Sequence, residues 1–500
     1  MRINILLGGK AGQGANLLTQ LVGNALVKKG YCIFYSRNYE SLIRGGHNFN
    51  VLTFSNEEIY SNDSKINILV CLDEKTEQYH KKDLIKGGMI IKDEGKNNAY
   101  IAGKISKILN INFKLLEEQL KKLKNFDENL ANAQEGYKNE KRSFNIKQKA
   151  KSAKEKEFIN GAQGIASGAI DSGLDLYYAY PMTPATSVLF ELAPLQEKNN
   201  FLVLELENEI SVINAAIGSA ITGAKCMIGT SGGGFDLMTE ALSMAGQAEV
   251  PIVCYLASRP GPSTGVPTAT SQGDLQLARN AGHGEFFRFV LAPGDPKECK
   301  EITNQAFYFS QNYKAPVIVL SDKHLAESAY SLDKFKEKII SVKKSTNFGR
   351  YNSYEHADNG KVTEDPSIIK KNCEKRLEKI KKIEKEVENF PMYKIFGKKN
   401  SKNLVISWGS TKGAILDAIK GLDVKFVQIL YIEPFPKKIV KELMKAKKVF
   451  IVENSSTGQI SKIIREKTGI LIEDHILKYD GMPFLCDELQ KEIKKRIGGN

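Results

Sequence analysis

At 500 residues the chain is long enough for about three domains, each burying a core of its own, and its 42% apolar share is that of a globular protein. No run of about 18 uncharged apolar residues occurs and the first residues lack the order of a signal peptide, so a soluble, cytoplasmic protein without membrane contact is expected. The net charge of +14 raises the question of nucleic acid, but it is concentrated: 138–156 carries eight basic and two acidic residues, 331–400 carries 18 and 11, and together they hold +13. Charged, aromatic-poor stretches of this kind read as solvated helices or loops rather than as a polyanion-binding arm. The seven cysteines (Cys32, Cys71, Cys226, Cys254, Cys299, Cys373 and Cys486) are odd in number and form no C-x-x-C pair. Any iron–sulfur cluster is therefore expected on another chain, and no metal site on this one.

The two basic connectors divide the sequence into three blocks, each alternating short β-rich runs with helical patterns, the signature of layered α/β domains. The divisions are 1–137, a linker over 138–156, 157–335, a charged connector over 336–400, and 401–500. In the first block, 3–7 reads as a strand, 8–14 as a glycine turn, and Leu17, Leu18, Leu21, Val22, Ala25 and Leu26 as the buried face of a helix. Strands follow at 31–35, 68–72 and 89–91, and a helical segment over 115–136 closes the block. The second block has strands at 174–180, 201–206, 225–229, 251–256, 286–291 and 317–320. Its helix from about Glu209 places Ile210, Ile213, Ile217 and Ile221 on one expected buried face. The third has strands at 404–407, 424–430 and 449–452. Open parallel sheets bind ligands beyond the carboxyl ends of their strands, so the residues just after these runs are the first candidates.

The earliest of these is Gly8-Gly9-Lys10-Ala11-Gly12-Gln13-Gly14. Backbone N–H groups between a strand and a helix suit a phosphate, yet the spacing is neither G-x-G-x-x-G nor a P-loop. Phosphate binding and a purely structural turn both stay open, and Arg44-Gly45-Gly46 offers a guanidinium nearby on either reading. In the second block, Tyr180-Pro181-Met182-Thr183-Pro184-Ala185-Thr186 follows a strand, and two prolines fix the backbone around Thr183; a rigid strand-to-helix connection explains it equally. Glu205, Glu207 and Glu209 end the next strand. The helix dipole accounts for acids there, while a partly desolvated carboxylate holding a proton is the sharper alternative. Thr230-Ser231-Gly232-Gly233-Gly234-Phe235 lets a ligand approach the backbone, and Arg259 in the 258–265 loop presents a forked cation suited to a carboxylate or phosphate. Several special turns at strand ends, most of them in one block, favour a shared site.

Taken in order, these residues resemble the 2-oxoacid:acceptor (ferredoxin) oxidoreductase family over nearly the whole chain, as a fused gamma and alpha subunit. Gly12-Gln13-Gly14, Tyr39, Glu40 and Arg44-Gly45-Gly46 look like its gamma domain. Residues 180–186, 207–209, 230–235, 259–265 and Gln272-Gly273-Asp274 look like the pyrimidine-binding domain of the alpha subunit. Trp408-Gly409-Ser410, Pro434-Phe435-Pro436, Glu453-Asn454, Gly458-Gln459 and 479–483 are similar to the alpha subunit's C-terminal, transketolase-like domain. Two departures are visible: Gly233 stands where the family commonly has proline, and Ala185 where it often has serine.

The resemblance implies an α/β protein of three layered domains: a gamma-type Rossmann-like domain, a thiamine-diphosphate-binding pyrimidine fold and a transketolase C-terminal-like domain. It implies coenzyme-A-dependent oxidative decarboxylation of a 2-oxoacid such as pyruvate or 2-oxoglutarate, with ferredoxin or a related acceptor taking the electrons. Glu209 would activate thiamine diphosphate, with Thr183 and Arg259 receiving the substrate. Tyr180, Pro181, Ser231, Gly232 and Gly233 would line the cofactor, and Gly12, Gly14 and Arg44 would offer a coenzyme A or partner surface. The diphosphate, Mg2+ and the iron–sulfur cluster would belong to a beta partner, in a heterodimer or a dimer of heterodimers. An inactive scaffold of such a complex, or a nucleotide-dependent oxidoreductase using the N-terminal glycine loop, are the alternatives.

Overall fold

The computed structural model describes residues 2–40, 46–144, 146, 156–334, 339–345 and 352–498, and is built on three β-sheets flanked by helices. The first is a mixed sheet in the order Leu84–Lys92, Ile66–Cys71, Ile3–Lys10, His47–Ser55, Cys32–Asn38, Ala329–Asp333 and Lys156–Asn160. Its central strand, His47–Ser55, runs antiparallel to both neighbours and has no counterpart among the expected strands. The last two strands come from the ends of the second block rather than from the first. Each pairs antiparallel to its neighbour, and Ile33 N donates to Ser331 Oγ across this seam at 2.7 Å. A strand needs a ladder partner for its N–H and C=O groups, and these two find theirs far away in sequence. The helix Ala15–Lys29 covers one face through Leu18, Leu21, Val22, Ala25 and Leu26 as expected, with Leu17 at its margin. The expected segment over 115–136 is two helices, Phe113–Leu120 and Phe126–Asn139.

The second sheet has the order Tyr431–Glu433, Phe289–Leu291, Val317–Asp322, Ile252–Ser258, Cys226–Thr230, Leu176–Ala179 and Leu202–Glu205, parallel except for the first. All six strands expected of the second block are present, while Tyr431–Glu433 is lent by the third. The helix Glu209–Ile221 buries Val212, Ile213, Ala216, Ile217 and Ala220. Ile210, expected on that face, is 52% exposed. One helical turn supplies more apolar positions than the sheet can cover, and only the packing decides which is left out.

The third sheet orders Tyr393–Gly397, Lys425–Ile429, Asn403–Trp408, Lys448–Glu453 and His475–Leu477. Its first strand lies in the charged stretch read as a connector. That stretch also holds the helix Pro366–Val387, which buries Ile383 and Val387 in the second core and turns its lysines outward. Lys379 Nζ reaches Glu249 at 2.6 Å and the carbonyl of Tyr313 at 3.2 Å, Arg376 pairs with Glu355, and Lys371 with Asp358. Lys379 thus meets the last residue of the helix Pro296–Tyr313, where the macrodipole favours a cation. Lys379 thereby straps the helix onto the second domain, while Arg376 and Lys371 tie it to the segment that precedes it. Among the described residues no helix is long and apolar enough to cross a membrane.

Candidate active site

Four neighbouring strands of the second sheet, Ile252–Ser258, Cys226–Thr230, Leu176–Ala179 and Leu202–Glu205, end side by side at their carboxyl edge, and each passes into one of the candidate loops. Arg259 follows the first of them and reaches across the second: its Nη1 donates to the Thr183 carbonyl oxygen at 2.8 Å. Burial lowers the Arg259 pKa, with Asp274 and Glu209 acting the other way through their charges. No carboxylate forms an ion pair with this guanidinium among the described residues, which leaves most of its donors open to an anionic ligand.

Glu209 opens its helix. Asn208 caps it, its side chain accepting from Ser211 N at 2.9 Å, and this cap aims the next residue inward. Glu209 is 4% exposed, and its Oε1 is buried without a hydrogen-bond partner. A buried, unpartnered carboxylate oxygen is costly, and a ligand donor is the natural way to satisfy it. The glycine turn lies against it. A Cβ at Gly234 would sit 2.6 Å from Glu209 Oε1 and 2.3 Å from Thr230 Oγ1, so only glycine fits there. Ser231 Oγ is likewise buried and unpartnered. Gly233 faces open space, with Ser263 O its nearest neighbour at 3.8 Å. Glu207, two residues before Glu209, is exposed and bonded to the Ser211 hydroxyl, as a helix-start acid should be.

These loops line a cleft of about 820 Å3. Met182, Gly232, Gly233, Arg259, Ser263 and Thr264 belong to its wall in the second domain, and the third domain supplies Ser455, Thr457, Gln459 and Tyr479. Gln272 holds the two walls together. Its Nε2 donates to the Trp408 carbonyl at 2.8 Å, and its Oε1 accepts from Asn454 N at 2.7 Å. Gln459 adds a bond from its Nε2 to the Gly273 carbonyl at 2.6 Å, and its own helix start is held by Glu453, which accepts from Gln459 N and Ile460 N. The motifs Gln272-Gly273-Asp274, Trp408, Glu453-Asn454 and Gly458-Gln459, far apart in sequence, thus meet at one seam.

Asp274 also lies in the cleft and had no role assigned from its sequence context. Burial raises its pKa, the Ser258 hydroxyl at 2.7 Å offsets this, Asp236 adds to the rise, and Arg259 opposes it. A Cβ at Gly232 would stand 2.6 Å from Asp274 Oδ2. Tyr180 and Pro181 are exposed, just before Met182 in the cleft wall. Thr183 is partly buried, its carbonyl committed to Arg259.

In the first domain the glycine turn begins later than expected. Gly8 and Gly9 lie within the strand Ile3–Lys10, where a Cβ would stand 2.6 Å from Thr76 Cγ2 and 2.8 Å from Leu72 Cβ, so close packing accounts for them. Gly12 and Gly14 have φ of 89° and 81° at the entry to the helix Ala15–Lys29. Gln13 ties the turn down by accepting from Lys10 N and donating to the Leu72 carbonyl. Arg44 lies outside the described residues. Also among the described residues, no group of three or more His, Cys, Asp or Glu is placed to hold a metal ion.

A three-sheet α/β chain with a buried, unpartnered carboxylate oxygen and an arginine without a carboxylate partner, both beyond the carboxyl edge of one parallel sheet, suits an α/β enzyme that binds an anionic ligand. Residues 167–391 match the family model of pyruvate flavodoxin/ferredoxin oxidoreductase, thiamine-diphosphate-binding region, and 4–133 that of pyruvate ferredoxin/flavodoxin oxidoreductase. The chain is 30% identical to a 2-oxoacid:ferredoxin oxidoreductase subunit alpha from Sulfolobus sp., covering 99% of this chain and 97% of the relative. It is 32% identical to the 2-oxoglutarate synthase subunit KorA of Archaeoglobus fulgidus, over 62% of this chain and 90% of the relative. Its fold matches a 2-oxoglutarate:ferredoxin oxidoreductase from Magnetococcus marinus with a TM-score of 0.86 at 24% identity, covering 99% of both chains. The chain belongs to the 2-oxoacid:ferredoxin oxidoreductase family, as an alpha subunit of that multi-subunit enzyme.

Proposed function

We propose that this chain is the fused gamma and alpha subunit of a cytoplasmic enzyme that converts a 2-oxoacid, coenzyme A and two oxidised one-electron acceptors into acyl-coenzyme A, carbon dioxide, a proton and two reduced acceptors. A beta partner would hold the cofactor diphosphate, Mg2+ and the iron–sulfur cluster, and ferredoxin or a related carrier would receive the electrons. The sheet carrying the 226–230 and 252–258 strands is assigned as the pyrimidine-binding domain, the N-terminal sheet as the gamma-type domain and the sheet of 403–408 as the transketolase-like C-terminal domain.

The residues around the glycine turn in the cleft wall fit an aminopyrimidine. Glu209 Oε1 and Ser231 Oγ are both buried and unpartnered, and Gly233 leaves the backbone approachable. Bound thiamine diphosphate supplies a carbon nucleophile at its thiazolium C2 and an electron sink for decarboxylation. Glu209 would hold a proton at the pyrimidine ring nitrogen N1′, with Tyr180, Pro181, Ser231, Gly232 and Gly233 around the ring. Arg259 and Thr183 would receive the oxoacid's carboxylate or oxo group, orienting it while a dry wall favours loss of charge as carbon dioxide. Gly12, Gly14 and Arg44 are offered as a coenzyme A or partner surface.

The observation that carries this reading is the buried, unpartnered Glu209 oxygen packed on Gly234. Its test is hydrogen–deuterium exchange at C2 of thiamine diphosphate in the assembled complex. Glu209→Gln should slow exchange and turnover by about 10²- to 10⁴-fold, as loss of a positioned acid–base group does, while Glu207→Gln leaves both near wild type. Equal exchange in wild type and Glu209→Gln refutes the assignment.

A further inference from the structure

Tyr39 stands where the first and second domains meet, just past the strand Cys32–Asn38. Its hydroxyl donates at 2.7 Å to Glu327 Oε1, on the short helix Lys323–Glu327 that follows the strand Val317–Asp322 of the second sheet. Arg37 and Lys323 both lie over its ring, 4.5 and 4.9 Å from the centroid. Lys323 is 4% exposed. Its Nζ donates to the Arg37 carbonyl and stands 3.7 Å from Glu327 Oε2, an ion pair that leaves this buried oxygen without a hydrogen bond. Burial raises the Tyr39 pKa and lowers that of Lys323, and the Glu327 charge adds to the first effect and opposes the second.

This cluster reaches toward both candidate sites. On one side Arg37 Nε and Nη2 donate to the Asn16 side-chain oxygen, each at 3.1 Å, at the start of the helix Ala15–Lys29 and two residues after Gly14. On the other, Asp322 precedes Lys323 and is 1% exposed. It caps the short helix by accepting from Leu325 N at 3.0 Å, and it also accepts from Thr270 Oγ1 at 3.3 Å. Thr270 lines the cleft. We infer that Tyr39 and Glu327 are positioning residues, whose bond fixes the glycine turn of the first domain relative to the cleft so that a co-substrate held at the turn meets the thiamine site in register. The inference rests on the coenzyme A surface of the proposed function and deepens it. Desolvating Lys323 and Glu327 offsets most of their mutual attraction, so fit between the domains rather than stability is what the buried pair contributes. Such a fit matters because a displacement of about 1 Å at a reacting group costs about 10²-fold in rate.

The test uses the assembled enzyme, with turnover measured against coenzyme A concentration and hydrogen–deuterium exchange measured at C2 of thiamine diphosphate. Tyr39→Phe keeps the ring beside Arg37 and Lys323 and removes only the hydroxyl. It should raise KM for coenzyme A by about 10-fold, the worth of one hydrogen bond to a charged group, with C2 exchange and KM for the oxoacid near wild type. Glu327→Gln should show the same split, and the double variant should be no worse than the poorer single, because both changes remove one interaction. Tyr308→Phe loses a like bond, to Glu386 at 2.6 Å on the helix Pro366–Val387, and should behave as wild type. A wild-type KM for coenzyme A in Tyr39→Phe overturns the inference. So do additive losses in the double variant, or a slowing of C2 exchange equal to the loss in KM, which would make the cluster a general support of the cleft. Each of these leaves the proposed function standing. Oxoacid oxidation by the wild type that does not depend on coenzyme A overturns the inference together with the reading beneath it.

Discussion

Gly234→Ala isolates the contact on which the site depends. The added methyl would lie 2.6 Å from Glu209 Oε1 and 2.3 Å from Thr230 Oγ1. Ordinary contact requires about 3.4 Å, so the carboxylate oxygen must retreat by about 0.8 Å if the backbone stays in place, and the threonine hydroxyl by about 1.1 Å. Overpacking of this kind costs about 1–3 kcal/mol of stability, which a domain of this size survives. Displacement of a catalytic group by about 1 Å costs about 10²-fold in rate. The variant should therefore fold, assemble with its partner and bind thiamine diphosphate, while C2 exchange and turnover fall by about two orders of magnitude. Gly233→Ala, whose methyl enters open space, serves as the paired comparison and should fall by less. Exchange at the wild-type rate in Gly234→Ala would show that Glu209 is not held by this turn, and that the geometric argument fails.

Arg259→Lys should lower kcat/KM for every accepted oxoacid by one to two decades, corresponding to about 1.5–3 kcal/mol for a lost charge-assisted bond at a desolvated site; unaltered kinetics would remove Arg259 as the substrate clamp. The isolated chain should bind thiamine diphosphate weakly and show no oxoacid oxidation until the partner is added, and full turnover by the chain alone would end the two-chain reading. His80 faces His47 with their Nε2 atoms 2.9 Å apart, and burial, followed by the neighbouring His47 charge, lowers its pKa from an ordinary 6.5 to about 4. The unfolded chain takes up this proton first as pH falls, so the stability contribution is complete above pH 6.5 and is lost between 6.5 and about 4. Urea midpoints should accordingly drop across that window in the wild type and drop less in His80→Gln; identical slopes would exclude the linkage.

The local parts of this protein were legible in the residues themselves. Apolar β-rich runs marked all the parallel strands of the central sheet, four of them running into glycine or proline turns, because the inner strands are buried on both faces and have few polar positions to spare. The apolar spacing after Glu209 marked a helix start there, and a strand end followed by a special turn is where a parallel sheet presents ligands. Thr183, Glu209 and Arg259 were therefore identifiable as candidates, and the fold brings them to the same carboxyl edge of one sheet.

Tertiary structure decided what no local pattern contains. Periodicity says that a residue prefers burial and not which element will cover it: Ile210 shares its helix spacing with Ile213 and Ile217 yet faces outward, because the sheet beneath covers only part of the helix. Pairing is equally non-local. The strands Lys156–Asn160 and Ala329–Asp333 carry no mark of belonging to the N-terminal sheet, and their place is set by ladder partners some 300 residues away in the case of Tyr35 and Ala329. Gly8 and Gly9 were read as a turn because glycine permits one, whereas close approach by Thr76 and Leu72 is what demands them. The second wall of the cleft comes from another domain, held there in part by Gln272 bonding Trp408 and Asn454, a contact that hydrogen-bond satisfaction in the folded core selects and sequence spacing does not encode.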